Sequence, residues 1–148
     1  MIATFVRRWK WIGLVVTVLL SIQIFNNLPS PAALQKDANA TSWSTTIESD
    51  LQANNQAYLI NFTAAWCITC QTNEKAALAR PGVKEFLTNQ DIQYIKADWT
   101  NRNEDIAMGL AKYNRTGIPL YIFWKPGMNE SKILPAVLTE DLLIRNMQ

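Results

Sequence analysis

The sequence predicts an α/β domain, a mixed central sheet with helices on both faces, preceded by one hydrophobic segment. Short apolar runs of strand length alternate with stretches whose apolar residues recur at helical spacing. The chain has 148 residues, 49% of them hydrophobic and 18% charged. That is enough for one core and too little for two comfortable domains. The domain is expected over residues 43–148.

The elements follow in order. A helix is expected over Trp43–Gln56, with Ile47 and Leu51 four apart on its inward face. Ala57–Phe62 (AYLINF) is a short apolar and aromatic run suited to a strand buried on both faces. A helix should run from Cys67 to Ala79 and end at Pro81-Gly82. Ile92–Asp98 (IQYIKAD) is the next strand. Asn103 can cap a helix that has Glu104 and Asp105 in its first turn. Ile106, Leu110 and Tyr113 form its apolar stripe, Lys112 and Arg115 sit at its negative end, and Gly117 lies just past it. Leu120–Trp124 (LYIFW) is another strand. Lys125-Pro126-Gly127 then turns into a last strand around Ile133–Leu138, where Pro135 points to an edge position. Thr139, followed by Glu140 and Asp141, opens a C-terminal helix. After the helical lead-in the order is β-α-β-α-β-β-α.

The N-terminus reads as a targeting segment. Arg7, Arg8 and Lys10 precede fifteen uncharged residues, Trp11–Phe25, and no acid appears before Asp37. A basic start followed by an apolar run is an export signal, with the basic end cytoplasmic and the rest of the chain outside. Fifteen residues fall short of the about 20 that span a bilayer comfortably. The segment thus sits between signal peptide and anchor. The prolines flanking the possible cleavage site, Ser30-Pro31-Ala32, weaken it. Residues 1–25 are therefore expected to be an uncleaved signal anchor, with a cleaved signal peptide as the alternative. Residues 26–42, polar and containing Pro29 and Pro31, read as a linker. The expected location is the cell membrane, single-pass, with the domain on the periplasmic or extracytoplasmic side. A soluble periplasmic product is the alternative.

Composition removes several function classes. The chain has no His, so His-based triads, a His general base and His-ligated zinc are excluded. Without the three N-terminal basic residues, 11 basic side chains face 12 acidic ones. Such a body offers no electrostatic footprint for nucleic acid, and none is expected as a partner.

Cys67 and Cys70 are the only cysteines, three positions apart at a helix start. Unpaired backbone N–H groups and the helix dipole stabilise a thiolate at the first of them. The second lies one turn on, more shielded, and within reach of a small disulfide. Such a pair attacks a partner's disulfide with the first sulfur and releases the partner with the second. Two other readings stand beside this one. Half of a zinc site would need about four ligands, and there is no third Cys. A structural disulfide would close a loop too small to constrain the unfolded chain much.

The stretch Leu59–Cys70 (LINFTAAWCITC) resembles the active-site segment of thioredoxin-like domains. With Asn73-Glu74 behind it, it is most similar to the C-terminal periplasmic domain of the bacterial DsbD family of thiol:disulfide interchange proteins. Lys96–Arg102 (KADWTNR) and Gly117–Tyr121 (GIPLY) agree, and the resemblance covers about residues 43–148. It implies a thioredoxin fold, with Pro119 as a cis-proline facing the cysteine pair. Ile118 would offer its backbone to an extended substrate segment. A trans proline at a strand start is the alternative. The resemblance also implies a protein-disulfide reductase, acting on exported proteins that bear disulfides and fed by a membrane-bound thiol electron donor. No cofactor beyond the dithiol is implied.

The sequence departs from the family pattern in two ways. One hydrophobic segment stands in place of the multi-helix membrane part that feeds electrons to this domain, which leaves the donor open. Asn61, six residues before Cys67, occupies the position where thioredoxin-like proteins often carry a buried Asp that helps move the resolving cysteine's proton. Glu74 is the candidate replacement, four residues after Cys70 and on the same helical face. The alternative for Glu74 is a solvated residue paired with Arg or Lys. Trp66 either walls the site and contacts partners or simply packs. Trp99 and Trp124 are expected to fill core or rim, as are Tyr121 and Phe123. A non-enzymatic binding module stapled by its disulfide, and an oxidase rather than a reductase, remain the contrasting functions.

Overall fold

The computed structural model describes Gln23 and residues 40–148. The chain divides into two compact units, Met1–Gln35 and Lys36–Gln148, and the description below concerns the second. The expected signal anchor, 1–25, and the linker up to residue 39 lie outside the described residues, Gln23 apart. No helix among the described residues is long and apolar enough to cross a membrane.

The elements are β1 (Thr41–Ser42), α1 (Ile47–Ala53), β2 (Tyr58–Thr63), α2 (Ile68–Asn73), α3 (Pro81–Asn89), β3 (Gln93–Asp98), α4 (Glu104–Lys112), β4 (Leu120–Trp124), β5 (Lys132–Ile133) and α5 (Glu140–Met147). The sheet has five strands in the order β1-β3-β2-β4-β5. β1 and β2 run parallel to β3, while β4 is antiparallel to β2 and β5. All six residues of β2 are buried, because helices cover both sides of the sheet.

Period-two alternation sends neighbouring β2 residues into different cores. Tyr58, Ile60 and Phe62 meet Leu51 of α1 and Ile106 and Leu110 of α4. Leu59 meets Val83 of α3, Leu143 of α5 and Tyr121 on the other side. Each fully buried side chain of this size contributes about 1.5–3 kcal/mol. Glu48 of α1 is buried but paired, with Lys112 Nζ at 2.6 Å and the Tyr113 hydroxyl donating to it. That pairing fastens α1 to α4, since a buried carboxylate without donors would be strongly unfavourable.

Three boundaries differ from the sequence reading. Thr41–Ser42, read as linker, form β1, opposite Ile95 and Lys96 of β3. Trp43 N–H continues that pairing by donating to Lys96 O at 3.1 Å, so α1 begins only at Ile47. The Trp43 ring packs on Phe62, centroids 6.0 Å apart. A β-carbon on Gly109 would fall 2.7 Å from that ring, which is why α4 carries glycine there.

Pro81-Gly82 was expected to end a helix and instead begins one. Pro81 is the first residue of α3, behind an extended Arg80 (φ −69°, ψ 139°). Proline suits that position because its missing N–H is unpaired there in any helix and its φ is already helical. α2 passes into a π-helical turn, Glu74–Leu78, in which Ala79 N–H reaches Glu74 O at 2.7 Å. The last strand is shorter than expected. β5 stops at Ile133, and Pro135, which has no N–H to donate, lies beyond it at the sheet edge.

Candidate active site

β2 delivers the chain to the site. From Thr63 it passes through Ala64, Ala65 and Trp66 to Cys67, the extended N-cap of α2 (φ −88°, ψ 100°). Cys67 Sγ accepts a hydrogen bond from Cys70 N–H at 3.2 Å, filling the capping role that an oxygen usually plays. Cys67 and Cys70 form a disulfide. They are 7% and 3% exposed, so of the two Cys67 is the more open.

The antiparallel pairing of β4 with β2 places Leu120 opposite Phe62. It brings the segment just before β4 up to the cysteines. The Ile118–Pro119 bond is cis, and Ile118 packs against Ala64, Cys67 and Cys70.

Trp66 is 46% exposed and is fixed to the loop after β3. Its Nε1 donates to Thr100 O at 3.1 Å, while Ala65 N–H donates to Thr100 Oγ1 at 2.9 Å. The Asp98 carboxylate in turn accepts from Thr100 N–H at 2.9 Å and from the Thr100 hydroxyl. Trp99 belongs to the site's rim, its ring tilted against Trp66 with centroids 6.1 Å apart. Trp124 is core, stacked on Tyr58.

Beneath the cysteine helix lies a polar network. Asn73, buried at the end of α2, donates to the Tyr121 hydroxyl at 2.9 Å and to Ala136 O at 2.7 Å. Its Oδ1 accepts from Leu138 N–H at 3.0 Å. Burial pushes the Tyr121 hydroxyl up to about 12, against the hydrogen bond from Asn73, and the Glu74 charge pushes the same way as burial. Glu74 is half-buried, opens the π turn, and lines a cleft together with Leu78 and Tyr94. Asn61, 2% exposed, donates from Nδ2 to the Tyr94 hydroxyl at 2.8 Å, and its buried Oδ1 accepts nothing.

The structure thus brings Cys67, Cys70 and Ile118 into one cluster, with Trp66 beside them. Glu74 stands one turn further along the helix, toward Tyr94. Asn73 and Thr100 were missed as positioning residues. A buried Asn in mid-helix, a poor helix former with strong hydrogen-bonding needs, was the available signal for Asn73. Among the described residues no group of His, Cys, Asp or Glu is placed to hold a metal ion.

The site is thus a disulfide-bonded cysteine pair at a helix start, its first sulfur accepting from the backbone, with a cis-proline segment packed against it. The thioredoxin-like family model matches residues 40–126. The chain belongs to the thioredoxin-like family.

Its curated relatives are thiol:disulfide interchange proteins. The DsbD of Campylobacter jejuni (strain RM1221) is 25% identical over 97 residues, covering 66% of this chain and 17% of the relative. The DsbD of Pseudomonas fluorescens is 28% identical over 108 residues, covering 73% of this chain and 16% of the relative. This thioredoxin-like chain therefore spans about a sixth of the length of the curated relatives it matches. Among solved structures, the reduced C-terminal domain of Neisseria meningitidis DsbD superposes with a TM-score of 0.57 at 19% identity, covering 80% of this chain and 95% of that one. A thioredoxin from Thermus thermophilus gives 0.57 at 16% identity, with coverages of 74% and 85%. Both share the thioredoxin fold.

Proposed function

We propose that this thioredoxin-like domain is an exported thiol:disulfide oxidoreductase that reduces disulfides in other exported proteins. The observation that carries the proposal is the Cys67–Cys70 disulfide at the start of α2 beside the cis Ile118–Pro119 segment. A staple would need neither the capping geometry nor an adjacent groove.

In the reduced protein Cys67 is the nucleophile. Cys70 N–H, aimed at Cys67 Sγ, stabilises its thiolate. That thiolate attacks one sulfur of the partner's disulfide. A mixed disulfide forms, and the partner's second sulfur leaves as a thiolate that takes up a proton. Cys70 then loses its proton and attacks Cys67 Sγ. The internal disulfide closes and the partner departs as a dithiol, two electrons richer. A donor dithiol, held at the membrane on this proposal, must return two electrons for the next turn. Ile118 and Pro119 line the groove that receives the partner's extended chain, and Trp66 forms its wall. Glu74 takes the proton from Cys70, the role that Asn61 cannot fill. The N-terminal segment holds the domain at the outer face of the membrane.

The test is the reduction potential, with single-turnover reduction of a model disulfide by the reduced chain. A reductase should lie nearer the about −270 mV of thioredoxin than the about −120 mV of a strong periplasmic oxidant. A value near the latter makes the protein an oxidase. A disulfide that resists mild dithiols makes it a staple.

A further inference from the structure

We infer that Arg102 and Arg115 make the rim of the disulfide a cationic docking surface for an extended partner segment carrying acidic residues on both sides of its reactive cysteines. The inference rests on the redox reading above and adds the chemistry of the partner.

Arg102 has φ 52°, in the left-handed region, which side chains other than Gly, Asn and Asp seldom enter. The turn is closed by Arg102 N–H on Trp99 O at 3.0 Å. It lays the guanidinium over two indoles, 4.8 Å from the Trp66 ring centroid and 5.8 Å from that of Trp99. A guanidinium stacked in this way keeps its planar fork of donors for a carboxylate. Among the described residues no carboxylate takes it. The ion pairs Arg80–Glu140 and Lys112–Glu48 do not include Arg102, although Glu104 and Asp105 follow closely in sequence. Asp98, the last residue of β3, is occupied by Thr100. An unusual backbone conformation thus holds an exposed, unpaired cation against the residue that precedes the nucleophile.

Arg115 stands on the Ile118 flank of the cysteines, without the left-handed backbone or the stacked rings of Arg102. It is exposed and, among the described residues, is the one charged side chain lining the groove that contains Ile118 and Pro119. It too is absent from those ion pairs. Arg102 lies against Trp66, Arg115 lines the groove with Ile118, and the residues next to the cysteines, Trp66, Ile68 (80% exposed) and Ile118, are apolar. An apolar centre flanked by unpaired cations complements a segment that is apolar around its cysteines and acidic at either end. Rim charges of this kind act mainly on the rate of encounter and on its salt dependence.

The test uses the full chain in detergent and eight-residue peptides closed by one disulfide, flanked on both sides by Glu, Gln or Lys. At low ionic strength the Glu peptide should be reduced ~10-fold faster than the Lys peptide in kcat/KM, and added salt should shrink that ratio. The Glu-to-Lys ratio, taken within each variant, should fall in Arg102→Gln and in Arg115→Gln and approach one in the double variant. Arg102→Gly, whose backbone suits this φ, guards against misfolding and should lower the ratio as well. Lys125→Gln, beyond the far end of β4, should leave it alone. Equal rates for the three peptides, or a Glu preference that survives the double variant, overturns the surface. Docking without exchange is read by fluorescence anisotropy with labelled Glu and Lys peptides whose cysteines are serines. A Glu preference there, with no peptide reduced, upholds the surface and overturns the redox reading. Equal binding there overturns the surface itself.

Discussion

Asn61 donates a 2.8 Å hydrogen bond to the Tyr94 hydroxyl, and Tyr94 lines the same cleft as Glu74. The neutral amide that stands where an acid is usual is thus linked through one hydroxyl to the cleft that holds the nearest carboxylate on the cysteine helix. This arrangement motivates the first prediction. Glu74→Gln should slow release of the mixed disulfide at neutral pH and leave the first attack by Cys67 nearly intact. The loss should be below the ~10²-fold typical of general-base help, because the carboxylate is only half-buried. Asn61→Asp in the Glu74→Gln background should restore part of the rate. Single-turnover kinetics across pH decide it, and identical profiles for parent and both variants would leave water as the proton acceptor.

The second prediction assigns the sulfurs. Cys70→Ser should accumulate mixed disulfides with exported partners, because the attack survives and the release does not. Cys67→Ser should trap few. Non-reducing gels with mass spectrometry of the adducts read the difference, and equal trapping by both variants would reverse or erase the assignment.

Asn73 supports the third. Asn73→Ala would leave the Tyr121 hydroxyl, Ala136 O and Leu138 N–H without the partners they have now. Each buried group left unsatisfied costs about 1–3 kcal/mol. A destabilisation of about 3 kcal/mol or more in urea unfolding is expected. A change below about 0.5 kcal/mol would mean that the 136–138 segment holds itself.

Alkaline pH gives the fourth. Burial raises the hydroxyls of Tyr58 and Tyr113 above the ordinary value and takes Tyr121 to about 12. Below about pH 10 these tyrosines are protonated in both folded and unfolded chains, and their contribution is fully present. Above it the unfolded chain ionises first, so stability falls as pH rises from 10 toward 12. Tyr121→Phe should unfold with a shallower pH slope than the parent over pH 10–11.5. Parallel slopes would show that Tyr121 does not govern this window.

A fifth prediction concerns the tether, motivated by Arg7, Arg8, Lys10 and the apolar run behind them. Fractionation should find the protein in the membrane, with its domain open to protease from outside. A soluble product beginning near Ala33 would show cleavage, and a domain facing the cytoplasm would refute export.

Much of the fold was legible because period and capping agree locally. Asn103 and Thr139 both cap as expected, accepting from Ile106 N–H at 3.0 Å and Leu142 N–H at 3.3 Å. β2, β3 and β4 follow their apolar runs. Pro81 misled because proline can either end a helix or begin the next, and only the extended Arg80 distinguishes the two. The edge strands were hard to read. Thr41–Ser42 join the sheet through backbone pairing that leaves no mark on a two-residue sequence. The cysteines and Pro119 were visible as spacing and motif. Arg102 was not, because its importance comes from a left-handed backbone and two rings separated from each other along the chain.

The sheet's outermost strands, Thr41–Ser42 and Lys132–Ile133, are two residues each. Long flat margins are where sheets recruit foreign strands and polymerise, and these are too brief to template either event. On the proposed function, a visiting polypeptide finds no rail along the flanks and presents its backbone at the segment before Leu120, beside the cysteines. The same brevity gives two copies of the domain little backbone along which to zipper together.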